Sequence, residues 1–431
     1  MNAPPEVIIL GAGVAGLAAA RDLTASGVRV LVLEARDRVG GRVLTRHTPD
    51  GPVELGAEFV HGAVEETLSV ARDAALPLRE SNRDAPPDEP DEDAHDDARD
   101  DGPGDFFSAL DAVLARARAD GPDESIQELV DRVDLPPETK AACLSFVRGY
   151  HAAEPARMSV RSLLKNTAAD ERPGANRQFR FVRGYDGVVA ALRGRIAPAL
   201  GEVRLGVVAT AVSWTRGRVV VATSTGEALT APKLVVTIPL GVLKAGALPF
   251  SPRLPEKEDA LARLEMGDAE RVSLAFSTDE WAAPRHFGGG GFLFTGEPPF
   301  PVWWVSRPGP IPVITGWAGG PNARALRGLD EGARVAAAIT ALASGLGVDE
   351  EHLRRDLRGG FSHDWLADPF ARGAYSYAGV GGSEAGDALA VPVEDTIFFA
   401  GEATQSDGQN GTVHGAIASG QRAARLVLAA R

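Results

Sequence analysis

Two apolar runs frame the start of the chain. Glu6–Leu10 (EVIIL) ends directly on Gly11, and Val28–Leu33 (VRVLVL) is apolar except for Arg29. Runs of this kind suit parallel strands buried on both faces. Between them Val14–Leu23 is rich in Ala and Leu and predicts a helix, with Gly27 as its stop. The order strand, glycine loop, helix, strand is the first unit of a dinucleotide-binding sheet.

Beyond this unit the pattern changes several times. Asp84–Asp105 is dense in Asp, Glu, Pro and Gly, lacks apolar periodicity and predicts a mobile acidic loop (84–105). Phe106 to Lys165 is helical in spacing, broken at Gly121-Pro122 and Pro136-Pro137. Val203–Ile238 predicts a β-meander: VRLGVVATAVSW, a turn at Thr215-Arg216-Gly217, then RVVVATS and KLVVTIP. Arg271–Phe276 and Trp303–Trp317 predict strands of a second sheet. Trp303 and Trp304 cannot share a face there, so one lines a pocket while the other packs in the core. Gly288–Gly291 predicts a loop, Arg334–Ser344 a helix, and the chain returns to the first unit near Thr396. No internal repeat is visible.

Length and charge narrow the function classes. A chain of 431 residues suits two or three intertwined units. Its 44% hydrophobic and 24% charged residues describe a globular protein with ample core. The net charge of −14 argues against nucleic acid or an anionic membrane surface as partner and is compatible with cationic substrates. A lone cysteine, Cys143, excludes an intramolecular disulfide and any thiolate metal cluster. MNAPPEVIIL has no basic region ahead of its short apolar run, and no stretch approaches the ~18 apolar residues that span a bilayer. The expectation is a reduced, cytoplasmic enzyme without a metal.

Candidate chemistry starts at the glycine loop. Gly11, Gly13 and Gly16 follow a strand and open a helix, so backbone can approach a pyrophosphate at the positive helix end. The pattern alone is weak, but Glu34 stands at the end of the second strand, where an acid binds ribose hydroxyls lacking a 2′-phosphate. A solvated strand end is the plainer alternative for Glu34.

Further motifs follow in order: EARDRVGGRV (Glu34–Val43), ELGAEFVHG (Glu54–Gly62), FVRGYDGVVAAL (Phe181–Leu192), VVTIPLGVL (Val235–Leu243), DWLADPFARGAYSYAGVG (Asp364–Gly381) and IFFAGEATQSDGQNGTVHG (Ile397–Gly415). Through them the chain resembles the flavin-dependent amine oxidases (monoamine oxidases, polyamine oxidases and histone lysine demethylases) over nearly its whole length. The resemblance implies an α/β fold with a Rossmann-type FAD-binding domain and a substrate domain whose mixed β-sheet is backed by helices. The FAD domain is expected from residues 1–75, 181–248 and 385–431, the substrate domain from 76–180 and 249–384.

By the same resemblance Glu34 binds the adenosine ribose, Ala35 belongs to the cofactor site, and Arg36 and Arg42 lie near the phosphates and the flavin. Gly40 and Gly41 let backbone pass beneath the isoalloxazine, where a side chain would collide. Gly56, Ala57 and Glu58 continue the cofactor wall, and the Val208 backbone meets the adenine. Gly401 and Glu402 match the ribityl–phosphate contact. Thr412 and Val413 open the last helix toward the flavin N1/O2 edge, where a helix N-terminus stabilises the negative charge of reduced flavin. Monoamine oxidases attach FAD through a cysteine before the tyrosine of a Gly-x-Tyr segment. Ala374 occupies that position here, which implies non-covalent FAD.

The reaction expected is oxidation of a small primary or secondary amine, polyamines included, by hydride transfer from the α-carbon to flavin N5. The imine then hydrolyses, and O₂ is the expected acceptor, giving H₂O₂. Such chemistry asks the protein for orientation, a dry pocket and electrostatics rather than an acid–base triad. Tyr375 matches one wall of the family's aromatic cage and Thr412 the opposite wall. His61 either accepts a hydrogen bond from the substrate ammonium or caps a turn. Arg271 stands where the family has a lysine that holds water near flavin N5, keeping the charge but not the point-like geometry. For the acidic loop, a funnel for polyamines stands beside the plainer reading of a solvated insertion. An L-amino acid oxidase and a desaturase of a hydrophobic substrate are the alternatives. Histone demethylation is disfavoured by the lack of an inserted helical tower.

Overall fold

The computed structural model describes residues 3–80, 103–118, 121–170, 172, 174–281, 287, 291–405 and 407–431. Most of the predicted acidic loop, and Gly288–Gly290 of the predicted glycine loop, lie outside these residues. Pro103–Asp105, placed by the sequence reading in the acidic loop, instead opens the helix Pro103–Leu114, a start that the fixed φ of proline favours.

The first sheet has five parallel strands. Their order across the sheet is Ile397–Phe399, Lys233–Val236, Val7–Leu10 (β1), Val30–Leu33 (β2) and Gly201–Arg204. β1 and β2 are buried at every position, as strands covered on both faces must be. The helix Val14–Ala25 (α1) covers one face and packs against the C-terminal helix Val413–Ala429. These two helices approach so closely that a Cβ on Gly420 would lie 2.2 Å from the Ala15 carbonyl oxygen.

Here the predicted meander is corrected. Only Ala209–Thr215, Arg218–Thr223 and Ala228–Ala231 form consecutive antiparallel strands. The chain turns at Gly206, whose φ is +70°, so Val203 and Arg204 join the parallel sheet beside β2. KLVV inserts beside β1. Trp303–Trp317 likewise resolves into a hairpin, Val302–Ser306 and Val313–Gly319, rather than one strand.

That hairpin belongs to a second sheet, in the order Phe292–Phe294, Val302–Ser306, Val313–Gly319, Ala269–Phe276 and Leu357–Ser362, with all four pairings antiparallel. The helix Glu331–Leu346 backs it and shares its core of Val272, Leu274, Phe276, Ile339 and Leu342. Trp303 packs fully in that core, and Trp304 faces the other way. A third core lies within the helices Pro103–Leu114, Ile126–Arg132, Pro137–Gly149 and Val160–Asp170. Their breaks have local causes: Ser125 and Glu128 form a reciprocal capping box, and Pro137 starts the next helix. Among the described residues no helix is long and apolar enough to cross a membrane.

Candidate active site

A cavity of about 890 Å³ runs between the two sheets and collects residues from Leu10 to Ala416. At one end is the glycine cradle. Gly11 has φ +100° and Gly40 has φ +102°, left-handed values that strain any other residue. Gly13 and Gly40 bridge as parallel neighbours, and a Cβ on Gly41 would lie 3.3 Å from Gly13 Cα. α1 starts there without a side-chain cap, leaving its first N–H groups to a ligand. Gly16 does not line the cavity; a Cβ there would lie 2.0 Å from the Gly11 carbonyl oxygen, so its part is packing. Glu34 is buried, and its carboxylate accepts from the Ala12 N–H at 2.7 Å and the Arg36 N–H at 3.0 Å. These donors fix it at the cavity wall beside Ala35.

The two predicted arginines are each held by an acid distant in sequence. Arg36 pairs with Asp368 at 2.7 Å and lies over the Phe370 ring. Burial opposes ionisation of Asp368, but hydrogen bonds from His363 and Arg36 outweigh it and hold the carboxyl well below its ordinary range. Arg42 donates to Glu402 and to the Ala374 carbonyl, both at 2.8 Å. Glu402 is buried and also accepts from the Ser376 hydroxyl at 2.6 Å and the Gly411 N–H at 2.9 Å. Gly401 and Val208 line the same space; the Val208 N–H and carbonyl both engage Ser224. Thr412 caps the C-terminal helix: its hydroxyl accepts from the Gly415 N–H at 3.0 Å and donates to the Gln409 carbonyl at 2.6 Å. Thr412 and Val413 therefore bring a 17-residue helix's N-terminus to the cavity.

The other end is aromatic. Trp317 meets Trp304, Trp304 meets Phe59 and Phe292, Phe59 meets His61, and His61 meets Tyr150, with ring centroids 5.5–6.2 Å apart. Behind these rings Glu58 is buried between two guanidiniums, Arg271 at 2.7 Å and Arg180 at 3.0 Å, and accepts from the Trp304 indole at 3.1 Å. Burial opposes its charge, but Arg180 and then Arg271 win, lowering its pKa. Arg271 also donates to the Gly56 carbonyl at 2.9 Å, while its Nε has no partner. Tyr375 lines the cavity against Gly411 and donates its hydroxyl to the Tyr150 carbonyl at 2.6 Å. Burial pushes the His151 and His414 imidazoles down to about 4, so both are neutral near pH 7.

All the predicted site residues except Gly16 thus meet at one cavity, Gly56 and Ala57 included. Sequence reasoning missed Phe59, Tyr150, Arg180, Phe292 and Trp317. Their only signal is aromatic or basic character within ordinary strands and helices. An uncapped helix end, a cradle that Cβ atoms would fill and a buried ribose-type acid fit FAD.

Comparison with known proteins agrees with this geometry. A sequence model of the family described as flavin containing amine oxidoreductase matches residues 14–115 and 109–428. Polyamine oxidase 3 of Oryza sativa subsp. japonica is 30% identical, over 97% of this chain and 88% of its own length. Lysine-specific histone demethylase 2 of Homo sapiens is 28% identical over 98% of this chain and 53% of its own. Among solved structures, putrescine oxidase bound to putrescine shares the fold with a TM-score of 0.80 at 21% identity, covering 100% of both chains. Cyclohexylamine oxidase from Brevibacterium oxydans IH-35A gives 0.80 at 22%, covering 99% of both. The chain belongs to the flavin containing amine oxidoreductase family, and its cofactor is FAD.

Proposed function

We propose that this protein oxidises a small primary or secondary amine and passes electrons from its FAD to O₂. Gly11, Gly13, Gly40, Gly41 and Glu34 would hold FAD, which would supply hydride acceptance from the amine α-carbon, and the imine product would hydrolyse to an aldehyde and ammonia or a smaller amine. The observation that carries this reading is the single cavity joining the glycine cradle to the aromatic chamber. Tyr375 and His61 stand in that chamber, where an aromatic face orients an amine at ~0.5–2 kcal/mol. The surrounding rings exclude water and favour the neutral nitrogen that oxidation requires. Gly56, Ala57 and Glu58 link cradle to chamber, with Arg271 fixed against them. An L-amino acid would need a guanidinium for its carboxylate, and in the aromatic chamber Arg271 is already engaged by Gly56 and Glu58.

FAD is held without a covalent bond on this reading. Ala374 lines the cavity and offers no nucleophile. Cys143 is buried in the helical core, where burial pushes its thiol up to about 12. The test is anaerobic mixing of the yellow protein with primary and secondary amines, followed by air. Loss of the visible flavin absorbance and its return in air are expected. An absorbance that no amine changes would overturn the assignment.

A further inference from the structure

The chamber has a charge pattern that bears on which amines it takes, an argument that rests on the amine-oxidising reading above. Among the described residues, four carboxylates line the cavity: Glu34, Glu58, Glu66 and Glu402. Glu34 belongs to the cradle and is held by two backbone donors. Glu402 is engaged by Arg42, Ser376 and Gly411. Glu58 is engaged by Arg180, Arg271 and Trp304. Only Glu66, half-buried in the first turn of the helix Glu65–Asp73, keeps its carboxylate free of a partner.

The wall behind the rings is also electropositive. Two guanidiniums share the single carboxylate of Glu58, so this buried group carries a net positive charge. Arg180 lies 4.5 Å from the centroid of the Phe59 ring and Arg271 lies 5.6 Å from that of Trp304. One negative face of each of these two rings therefore already serves a fixed cation. To a ligand the same rings offer apolar contact, continued by Phe292, Trp317 and Tyr150.

We propose that the substrate is an amine with one basic nitrogen on an apolar, ring-sized body, and that linear polyamines are disfavoured. The reacting nitrogen can enter as the neutral base. Every further nitrogen of a polyamine would arrive as an ammonium, and a buried charge without an acceptor is strongly unfavourable. Among the described residues one free carboxylate cannot pair with two or three such groups, and the Arg180–Arg271 wall repels them. An apolar ring in their place gains burial against the aromatic wall instead.

The experiment is anaerobic stopped-flow reduction of the FAD-loaded full chain by benzylamine, 2-phenylethylamine and cyclohexylamine, against spermidine and spermine, which carry two and three further nitrogens. The readout is the flavin reduction rate constant divided by the apparent Kd for each amine. The best monoamine is expected to exceed the best polyamine by tenfold or more. A polyamine that equals or exceeds the monoamines, or a difference smaller than tenfold, overturns this inference while leaving amine oxidation intact. Bleaching by neither group overturns the amine reading as well, so the two failures are distinct.

Discussion

Arg271 spends both terminal nitrogens on fixed acceptors, so its charge is immobile. Removing one partner of a buried ion pair costs ~3–5 kcal/mol when the other is stranded. Here Arg180 remains beside Glu58, so Arg271→Met should lose about 2 kcal/mol in denaturant unfolding. If Arg271 also serves the flavin, one of the two half-reactions slows; normal rates for both would make it a packing residue. Tyr375→Ala should slow flavin reduction while FAD content stays intact, and an unchanged rate would remove Tyr375 from the site. Away from the cavity, Glu270 is buried beside Asp364 and Arg334. Burial first, then the Asp364 carboxylate, push its pKa from 4.5 up to about 8. A raised folded-state value means stability complete below the unfolded value and lost as pH rises through about 8. Glu270→Gln, which mimics the protonated form, should therefore flatten the decline in melting temperature between pH 6 and 9. A variant that declines as steeply as the parent would show that Glu270 is ionised throughout.

The hydroxyl of Thr412 both caps the C-terminal helix and ties it to Gln409. Losing such a cap costs ~1 kcal/mol, so Thr412→Ala should lower thermal stability by that order and weaken FAD retention on a desalting column. FAD retention equal to the parent's would mean that the helix end is positioned by its neighbours instead. The elements of the cradle were legible because their signals are local. Gly11, Gly13 and Glu34 lie within one strand–helix–strand unit, and the backbone conformation there demands glycine. Sheet membership was not legible in the same way. VRL and KLVV have the apolar character of meander strands, and only the turn at Gly206 and pairing with β1 and β2 send them to the parallel sheet. The aromatic chamber was hidden for a related reason. Phe59, Tyr150, Phe292 and Trp317 come from four separate elements, and each alone reads as an ordinary core position.

The cavity joins segments from both ends of the chain, so FAD should act as a tie between them. A ligand that binds only the folded state at 100 times its Kd adds about 2.7 kcal/mol. Removing FAD should lower the melting temperature, and adding it back should restore it. Because no covalent bond is expected at Ala374, acid precipitation should release the yellow chromophore into the supernatant; colour kept in the pellet would contradict this.

The close seating of the C-terminal helix on α1 governs more than packing. During synthesis residues 397–399, at one edge of the sheet of β1 and β2, and the helix that covers α1 follow β2 by 397 − 33 = 364 residues or more. Until those residues emerge the first unit carries an uncovered apolar face and an open sheet side, a condition that invites aggregation. The nascent chain should therefore depend on holding chaperones until residues 397–429 emerge. A stop placed before residue 397 should yield insoluble, colourless protein rather than a weakened enzyme.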